Sequence, residues 1–317
     1  MADTVASTAQ EENDGHKALL ELEAQFHAKS RNTFFNVQGS QIYALTSFTR
    51  IFEQYPYPVV INAAILKLAD WFRTNNNIVK YYVFKVFKDA SDQHLAKVFN
   101  IEETVRRIMT VLGSNDPIAR SITLRILGCM AKIVSEKLEV HHAILQRLEA
   151  ATGRIEIEAA IWASDNFCAS SLRFPSVIFP KLSAKVQDPT ISLDVKLRYI
   201  KIFRHMHRDI AMARQAKTIC LGLLDNPNTE EKLVIVTLRT LTLLLSKALM
   251  DRKEQVKIEE GRVALQSTST ELSRLIRSID YYITPFMTIG LAFNTARCTM
   301  WYCSVKTTSC LMKPTFW

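Results

Sequence analysis

The sequence predicts an all-α protein in which helical hairpins stack into an α-solenoid. Apolar residues recur at helical spacing along most of the chain, and almost no segment shows the alternation of a half-buried strand. The chain holds only 8 Gly and 9 Pro among 317 residues, so turns are sparse and a loop-rich β fold is disfavoured. Apolar residues form 48% of the chain, which is enough for a sizeable core.

Paired helices recur along the chain at a regular interval. The second helix of each pair is predicted to begin near Ile78, Pro117, Ile155, Asp194 and Thr229, at intervals of 39, 38, 39 and 35 residues. Hairpins that recur at about 40 residues are typical of HEAT and armadillo repeats. The sequence therefore predicts a HEAT/ARM-like α-solenoid over residues 17–255.

The first helices of the five pairs are predicted in order along the chain. They lie at 59–72, from residue 101, at 137–154, at 176–189 and at 209–228. The first of these, "VVINAAILKLADWF", has a broad apolar face and stops at the polar run "RTNNN". A shorter helix at 40–56 is expected to supply a partial repeat in front of them.

The segment "SNDPIARSITLRILG" contains the start of a second helix. Asp116 is suited to cap the free N–H groups of a helix, and Pro117 to the first helical position, where its missing N–H costs nothing. Arg120 follows within the first turn, and Leu127 is expected in the core. Gly128 costs about 1 kcal/mol of helix propensity, so a neighbouring helix is expected to pack closely there. The segment resembles the second helix of HEAT repeats, in which the aspartate and arginine tie adjacent turns together.

The two ends of the chain differ from this pattern. Residues 1–16 are polar and acidic, which is unlike a targeting signal, and they are expected to be disordered. The longest apolar run, Leu233–Leu245, is 13 residues long and contains Arg239. A bilayer span needs roughly 20 apolar residues, so this run is expected to be a core helix and no membrane contact is predicted. The chain is expected to be soluble and intracellular.

The net charge of +9 permits an acidic partner but does not require one. Basic residues are densest between Lys196 and Lys217, where Arg198, Lys201 and Arg208 recur at helical spacing. They form either a solvated helix face or a face for an acidic partner. A solenoid that binds RNA or DNA without sequence preference, with weak RNA contact, is therefore an alternative function.

The sequence offers no convergent set of catalytic groups. His141 and His142 are adjacent, so they point about 100° apart on a helix and cannot share a metal. His205 and His207 are also unsuitably spaced. The acidic pairs Glu102–Glu103 and Glu156–Glu158 occupy first-turn positions, where the helix dipole favours carboxylates. We therefore expect no enzyme activity, no cofactor, no metal and no small-molecule substrate.

The six cysteines fall into two groups. Cys129, Cys168 and Cys220 lie singly in apolar helical patterns, where a reduced cysteine acts as a small hydrophobe. The other three are close together near the C-terminus: Cys298, Cys303 and Cys310. Their intervals and the lack of a fourth ligand nearby do not suit zinc, and their role stays open.

Several segments carry a more specific resemblance. They are "IFEQYPYPVVINAAILKLADWFR" (51–73), "GSNDPIARSITLRILG" (113–128), "VHHAI" (140–144), "IEIEAAIWA" (155–163), "DVKLRYIKIFRHMHRD" (194–209) and "KLVIVTLRTLTLLLSKALMD" (232–251). Their order and spacing resemble the N-terminal part of the Integrator complex subunit 7 family over roughly residues 17–255. Residues 31–45 follow the family only loosely.

The resemblance implies a non-catalytic, helical-repeat scaffold subunit of a large nuclear assembly. That assembly binds RNA polymerase II, cleaves nascent RNA through a separate endonuclease subunit and recruits a phosphatase. Its outputs are small nuclear RNA 3′-end processing and early transcription termination, or attenuation. The implied partners are other Integrator subunits directly and RNA polymerase II indirectly. The same fold also serves cytoplasmic adaptor and transport solenoids, which remain an alternative.

The resemblance is expected to fade after about Asp251. Residues 256–317 form a divergent tail with half the cysteines, and they are expected to be poorly ordered. The tail is interpreted as belonging to a truncated or alternative product, or as translated non-coding sequence. An authentic C-terminal cap is the alternative, although terminal repeats normally have a polar outer face.

Overall fold

In a computed structural model of the chain, residues 2–28, 36–225 and 230–258 are described. Their helices are α1 (Ala2–His27), α2 (Asn36–Gln54), α3 (Pro58–Thr74), α4 (Asn77–Ala90), α5 (Ile101–Met109), α6 (Pro117–Cys129), α7 (Leu138–Ala150), α8 (Arg154–Ser170), α9 (Phe174–Gln187), α10 (Leu193–Ile202), α11 (Ile210–Leu224) and α12 (Glu231–Ile258). Short 3₁₀ turns lie at Leu95–Lys97, Thr110–Gly113 and Phe203–His205.

The helices form two layers. The even-numbered helices from α2 to α12 pack on one another in chain order and form the second-helix layer. The odd-numbered helices form the first-helix layer, in which α1 contacts α3, α3 contacts α5 and α9 contacts α11. This arrangement confirms the all-α solenoid. The last five helices of the second layer begin within two residues of their predicted starts, because caps and prolines mark those positions locally.

Residues 1–16 were expected to be disordered, but helix α1 begins at Ala2 at the front of the stack. Leu19, Leu22 and Phe26 recur on one face of α1 and are buried. The Phe26 ring stacks on Trp71 of α3, with ring centroids 3.8 Å apart. Nearer the N-terminus, the Tyr57 hydroxyl donates to the Glu11 carboxylate and so joins α1 to the start of α3. α1 and α2 therefore pack on each other at the front of the stack, where one shorter helix was predicted to form a partial repeat.

The back of the described stack is α12. It contains the apolar run Leu233–Leu245, in which Leu241 and Leu244 are buried while Arg239 is exposed. Within the described ranges, no helix combines the length and apolarity needed to cross a membrane. The tail predicted at 256–317 lies outside the described residues from 259 onward.

One apolar core runs through the whole stack. The largest side chains in it with essentially no exposed surface are seven phenylalanines: Phe48, Phe52, Phe72, Phe87, Phe167, Phe174 and Phe203. In the middle of the stack α6 contributes Ala119, Leu124 and Leu127, each buried. Every repeat thus buries its side chains against its neighbours, so stability is shared among nearest-neighbour interfaces.

We expect Leu127→Asp to lower the free energy of unfolding by at least about 3 kcal/mol, because it removes buried apolar surface and buries an unpaired charge. Ile118→Asp on the same helix is the matched control, since Ile118 is 46% exposed, and it should change stability by less than about 0.5 kcal/mol. Circular dichroism during urea unfolding measures both. Equal stability of Leu127→Asp and the unsubstituted chain would contradict the assignment of Leu127 to the core.

Candidate interaction surface

Asp116 makes contacts on both sides of the repeat boundary before α6. Its Oδ1 accepts the backbone N–H of Ile118 at 2.8 Å and so caps the helix. Its Oδ2 accepts the side-chain amide of Asn77, the first residue of α4, at 2.5 Å. The bond from Asn77, with the backbone bonds at the helix start, lowers the pKa of Asp116. One carboxylate thus caps α6 and joins it to the preceding repeat, while Pro117 occupies the first turn.

Arg120 joins α6 to the following repeat. Its Nε and Nη2 donate to Oε1 and Oε2 of Glu156 in α8, both at 2.7 Å. Its Nη1 also donates to the Ser114 carbonyl at 2.8 Å. The Glu156 side chain is only 2% exposed, so this bidentate pair is one of the strong, charge-assisted kind. Glu156 lies in the first turn of α8, as predicted, but its main partner comes from another repeat.

Gly128 is a point of close approach between α6 and α8. A Cβ placed on Gly128 would lie 2.8 Å from Cε3 of Trp162, closer still to Cζ3, and 3.3 Å from the Cα of Ala163. Real Cβ atoms do not come so near, so only glycine permits this contact. The predicted close packing of a neighbouring helix at Gly128 is confirmed.

Further polar contacts repeat this pattern along the stack, and they were not predicted from the sequence. Asn62 accepts the backbone N–H of Asn100 at 2.9 Å, 38 residues away. Glu136 accepts that of Leu172 at 2.7 Å, 36 residues away. Arg204 donates to Asp165 at 2.5 Å, 39 residues away. A search of the sequence for these contacts would pair each side chain that can accept a hydrogen bond with a donor about one repeat later in the chain.

The three basic residues predicted to share one stripe lie in different settings. α10 ends at Ile202 and a 3₁₀ turn follows, so Arg208 lies beyond the helix. Its guanidinium donates to the carbonyls of Ser171 at 2.7 Å and Ala169 at 3.3 Å, at the end of α8. Arg198 faces Glu158 at 3.4 Å. The single stripe is therefore wrong, because the helical spacing stops before Arg208. Lys201 and Arg208 are both exposed, but the Arg208 guanidinium is held by the two carbonyls.

His141, His205 and the three cysteines in the described part of the chain are buried, whereas His142 is exposed. His141 is buried, with Nε2 2.6 Å from the Ser135 carbonyl. His205 Nε2 lies 3.0 Å from Asp165 Oδ1. Burial raises the pKa of the Cys129 and Cys220 thiols to about 12, so both stay protonated as buried small hydrophobes. Cys298, Cys303 and Cys310 lie outside the described residues.

Among the residues that the structure describes, no three or more His, Cys, Asp or Glu side chains are grouped to hold a metal ion. Instead, the polar side chains at the repeat boundaries bind neighbouring repeats. The fold and these contacts define a helical-repeat protein, an α-solenoid whose outer faces are available to other molecules.

Comparison with known proteins identifies the family. Residues 36–263 match the family model described as "Integrator complex subunit 7, N-terminal". The chicken protein "Integrator complex subunit 7" is 41% identical over 254 residues, which cover 80% of this chain and 25% of the relative. The human protein of that name is 40% identical over 254 residues, which again cover 80% of this chain and 25% of the relative. The Dictyostelium discoideum homolog is 38% identical over 220 residues, 69% of this chain and 21% of that protein.

The chain therefore belongs to the Integrator complex subunit 7 family, and it spans about a quarter of the length of these relatives. The family match continues to residue 263, beyond the point near Asp251 where the resemblance was expected to fade. Among solved structures, the crystal structure of an engineered protein has a TM-score of 0.49 and 14% identity, covering 74% of this chain and 97% of its own.

We expect Gly128→Ala to destabilise the fold by about 1–3 kcal/mol, because the added methyl group overpacks the contact with Trp162. Gly222→Ala is the matched control, since Gly222 lies within α11 and a Cβ there meets nothing within 4 Å. The control should gain up to about 1 kcal/mol from helix propensity. Urea denaturation compares the two, and stabilisation by both substitutions would refute the close approach of α6 and α8.

Removing one member of the Arg120–Glu156 pair should lower the free energy of unfolding more than removing both members does. Arg120→Met leaves the buried Glu156 carboxylate with only Arg147, whose Nη1 is 4.0 Å away, and we expect a loss of about 3–5 kcal/mol. The double variant Arg120→Met/Glu156→Met should recover part of that loss. Arg154→Met, which removes an exposed pair with Glu158, should cost less than about 1 kcal/mol. A double-mutant cycle in urea tests this, and additive losses would count against a coupled pair.

Proposed function

We propose that this chain is a non-catalytic scaffold element of the Integrator complex. In this role it supports small nuclear RNA 3′-end processing and RNA polymerase II termination or attenuation through protein–protein contacts. The observation that carries the proposal is the match of residues 36–263 to the N-terminal region of the Integrator subunit 7 family. Its direct partners are then other Integrator subunits, RNA polymerase II is reached through them, and the site of action is the nucleus.

The surface of the stack supports a role in protein binding. Ile78, Ile118 and Ile155 lie at the second residue of α4, α6 and α8, and they are 45%, 46% and 57% exposed. Because α6 packs on both α4 and α8, these side chains lie along one edge of the solenoid. Apolar side chains at a protein surface are a common component of protein–protein interfaces.

Purification of the tagged chain from nuclear extract tests the proposal. We expect mass spectrometry to find Integrator subunits enriched over an untagged control, and the enrichment to survive ribonuclease treatment, because the contacts are between proteins. The Leu127→Asp variant should lose it, because the repeats that form the surface would no longer pack. Recovery of only RNA, of cytoplasmic adaptors or of no Integrator subunit would refute the proposal.

A further inference from the structure

Five residues occupy the same position in successive helices of the second layer. They are Lys85 in α4, Arg125 in α6, Trp162 in α8, Lys201 in α10 and Arg239 in α12, each eight residues after the first residue of its helix. We call this set the basic row. Four of its five members are cationic, whereas the sequence pattern alone indicated a stripe within one helix. The row instead runs across the helices, one residue for each repeat.

Burial confirms that these positions are equivalent. The residues two positions before the row are all buried: Val83, Thr123, Ala160, Tyr199 and Thr237. The residues one position after the row are buried as well: Val86, Ile126, Ala163, Ile202 and Thr240. Within the row Lys85, Lys201 and Arg239 are exposed and the other two are half-buried. Because neighbouring helices of this layer pack side by side, the row lies along one outer face of the solenoid.

Within the described ranges, the positive charge of the row is only partly compensated by acidic side chains. Lys85, Lys201 and Arg239 form no ion pair among the described residues, and the Lys85 ammonium lies 5.3 Å and 5.2 Å from the rings of Tyr81 and Tyr82. The nearby carboxylate of Glu158 is bound by Arg154 at 3.0 Å and faces Arg198 at 3.4 Å. Glu158 is therefore shared between two cations. Asp89, four residues after Lys85, and Asp194, seven residues before Lys201, are also exposed on these helices. The acids remain fewer than the cations, so the face keeps a positive potential.

Exposed apolar side chains flank the row on the same helices. Ile78, Ile118 and Ile155 lie seven residues before it, and Tyr81 and Ile235 lie four residues before it. Residues four and seven apart share one face of a helix. Tyr81 is 46% and Ile235 49% exposed. The face therefore offers cations beside apolar side chains. The phosphate backbone of a nucleic acid would contact the cations but leave these apolar side chains without a partner.

We infer that the basic row binds an extended protein segment that carries a carboxylate at every third residue, with apolar residues between the carboxylates. Packed helices stand about 10 Å apart. A polyproline II segment has three residues per turn and a rise of about 3.1 Å per residue, so every third side chain points the same way about 9 Å further on. A carboxylate at every third residue thus matches the spacing of the row, which offers a cation in every repeat except that of α8, where Trp162 stands. The inference rests on the proposed function in that it names the chemistry of a protein partner.

Fluorescence anisotropy with the full chain tests the inference. The probe is a fluorescein-labelled peptide of five Glu-Leu-Pro units, one for each row position. We expect saturable binding that the row variant Lys85→Glu/Lys201→Glu/Arg239→Glu weakens by about tenfold or more, since exposed charge contacts are individually modest. The control Lys185→Glu/Arg214→Glu/Lys217→Glu has the same change of charge on α9 and α11, and its Kd should stay within about threefold of the unsubstituted chain.

Two further peptides separate the contribution of charge to binding from that of the apolar contacts. Five Glu-Ser-Pro units should bind more weakly than the first probe, because the apolar flank loses its contacts, and five Lys-Leu-Pro units should not bind. No binding of the first probe, an equal loss in both triple variants, or tighter binding of oligouridine RNA would overturn the inference. If the probe fails while Integrator subunits still co-purify, only the inference is lost. If the probe binds and no Integrator subunit co-purifies, the proposed function is lost instead.

Discussion

The contact of Gly128 with Trp162 sets how closely two repeats can stand at the centre of this stack. The helix backbone of α6 meets the indole of α8 there without an intervening side chain. That approach brings the first turns of the same helices near enough for Arg120 to hold both oxygens of Glu156 at 2.7 Å. Apolar packing thus fixes the distance, and the bidentate pair fixes the register. The neighbouring repeats pack on these two helices, since α4 contacts α6 and α10 contacts α8.

The polar contacts between repeats contribute more to specificity than to net stability. A buried ion pair offsets its desolvation cost only when its geometry is good, whereas loss of one partner is costly. The Glu156 side chain is 2% exposed, so a misplaced α8 would leave a buried, unpaired carboxylate. Asp116, by contrast, is only partly buried and combines a cap with a link to Asn77. In both arrangements, a shifted register would raise the free energy of the fold by more than the native contact lowers it.

The sequence predicts local features of this fold well and relations between distant residues poorly. Caps, prolines and apolar spacing define where α6 begins, and a glycine in an apolar helix indicates a close contact. The anchoring of α1 depends on Phe26 meeting Trp71, which no local pattern records. Arg208 has helical spacing from Lys201, but the chain leaves the α-helix at Ile202. The basic row was missed because its members are one repeat apart.

The links between repeats have a consequence for the order of the repeats themselves. Equivalent boundaries use different chemistry: an amide with a carboxylate at Asn77–Asp116, a bidentate ion pair at Arg120–Glu156, and an arginine with a histidine around Asp165. A repeat moved to another place in the stack would meet the wrong partner and leave polar groups unmatched. Consensus solenoids with interchangeable units lack this restriction. Here each unit recognises its own neighbours, so the chain specifies the sequence of its repeats as well as their shape.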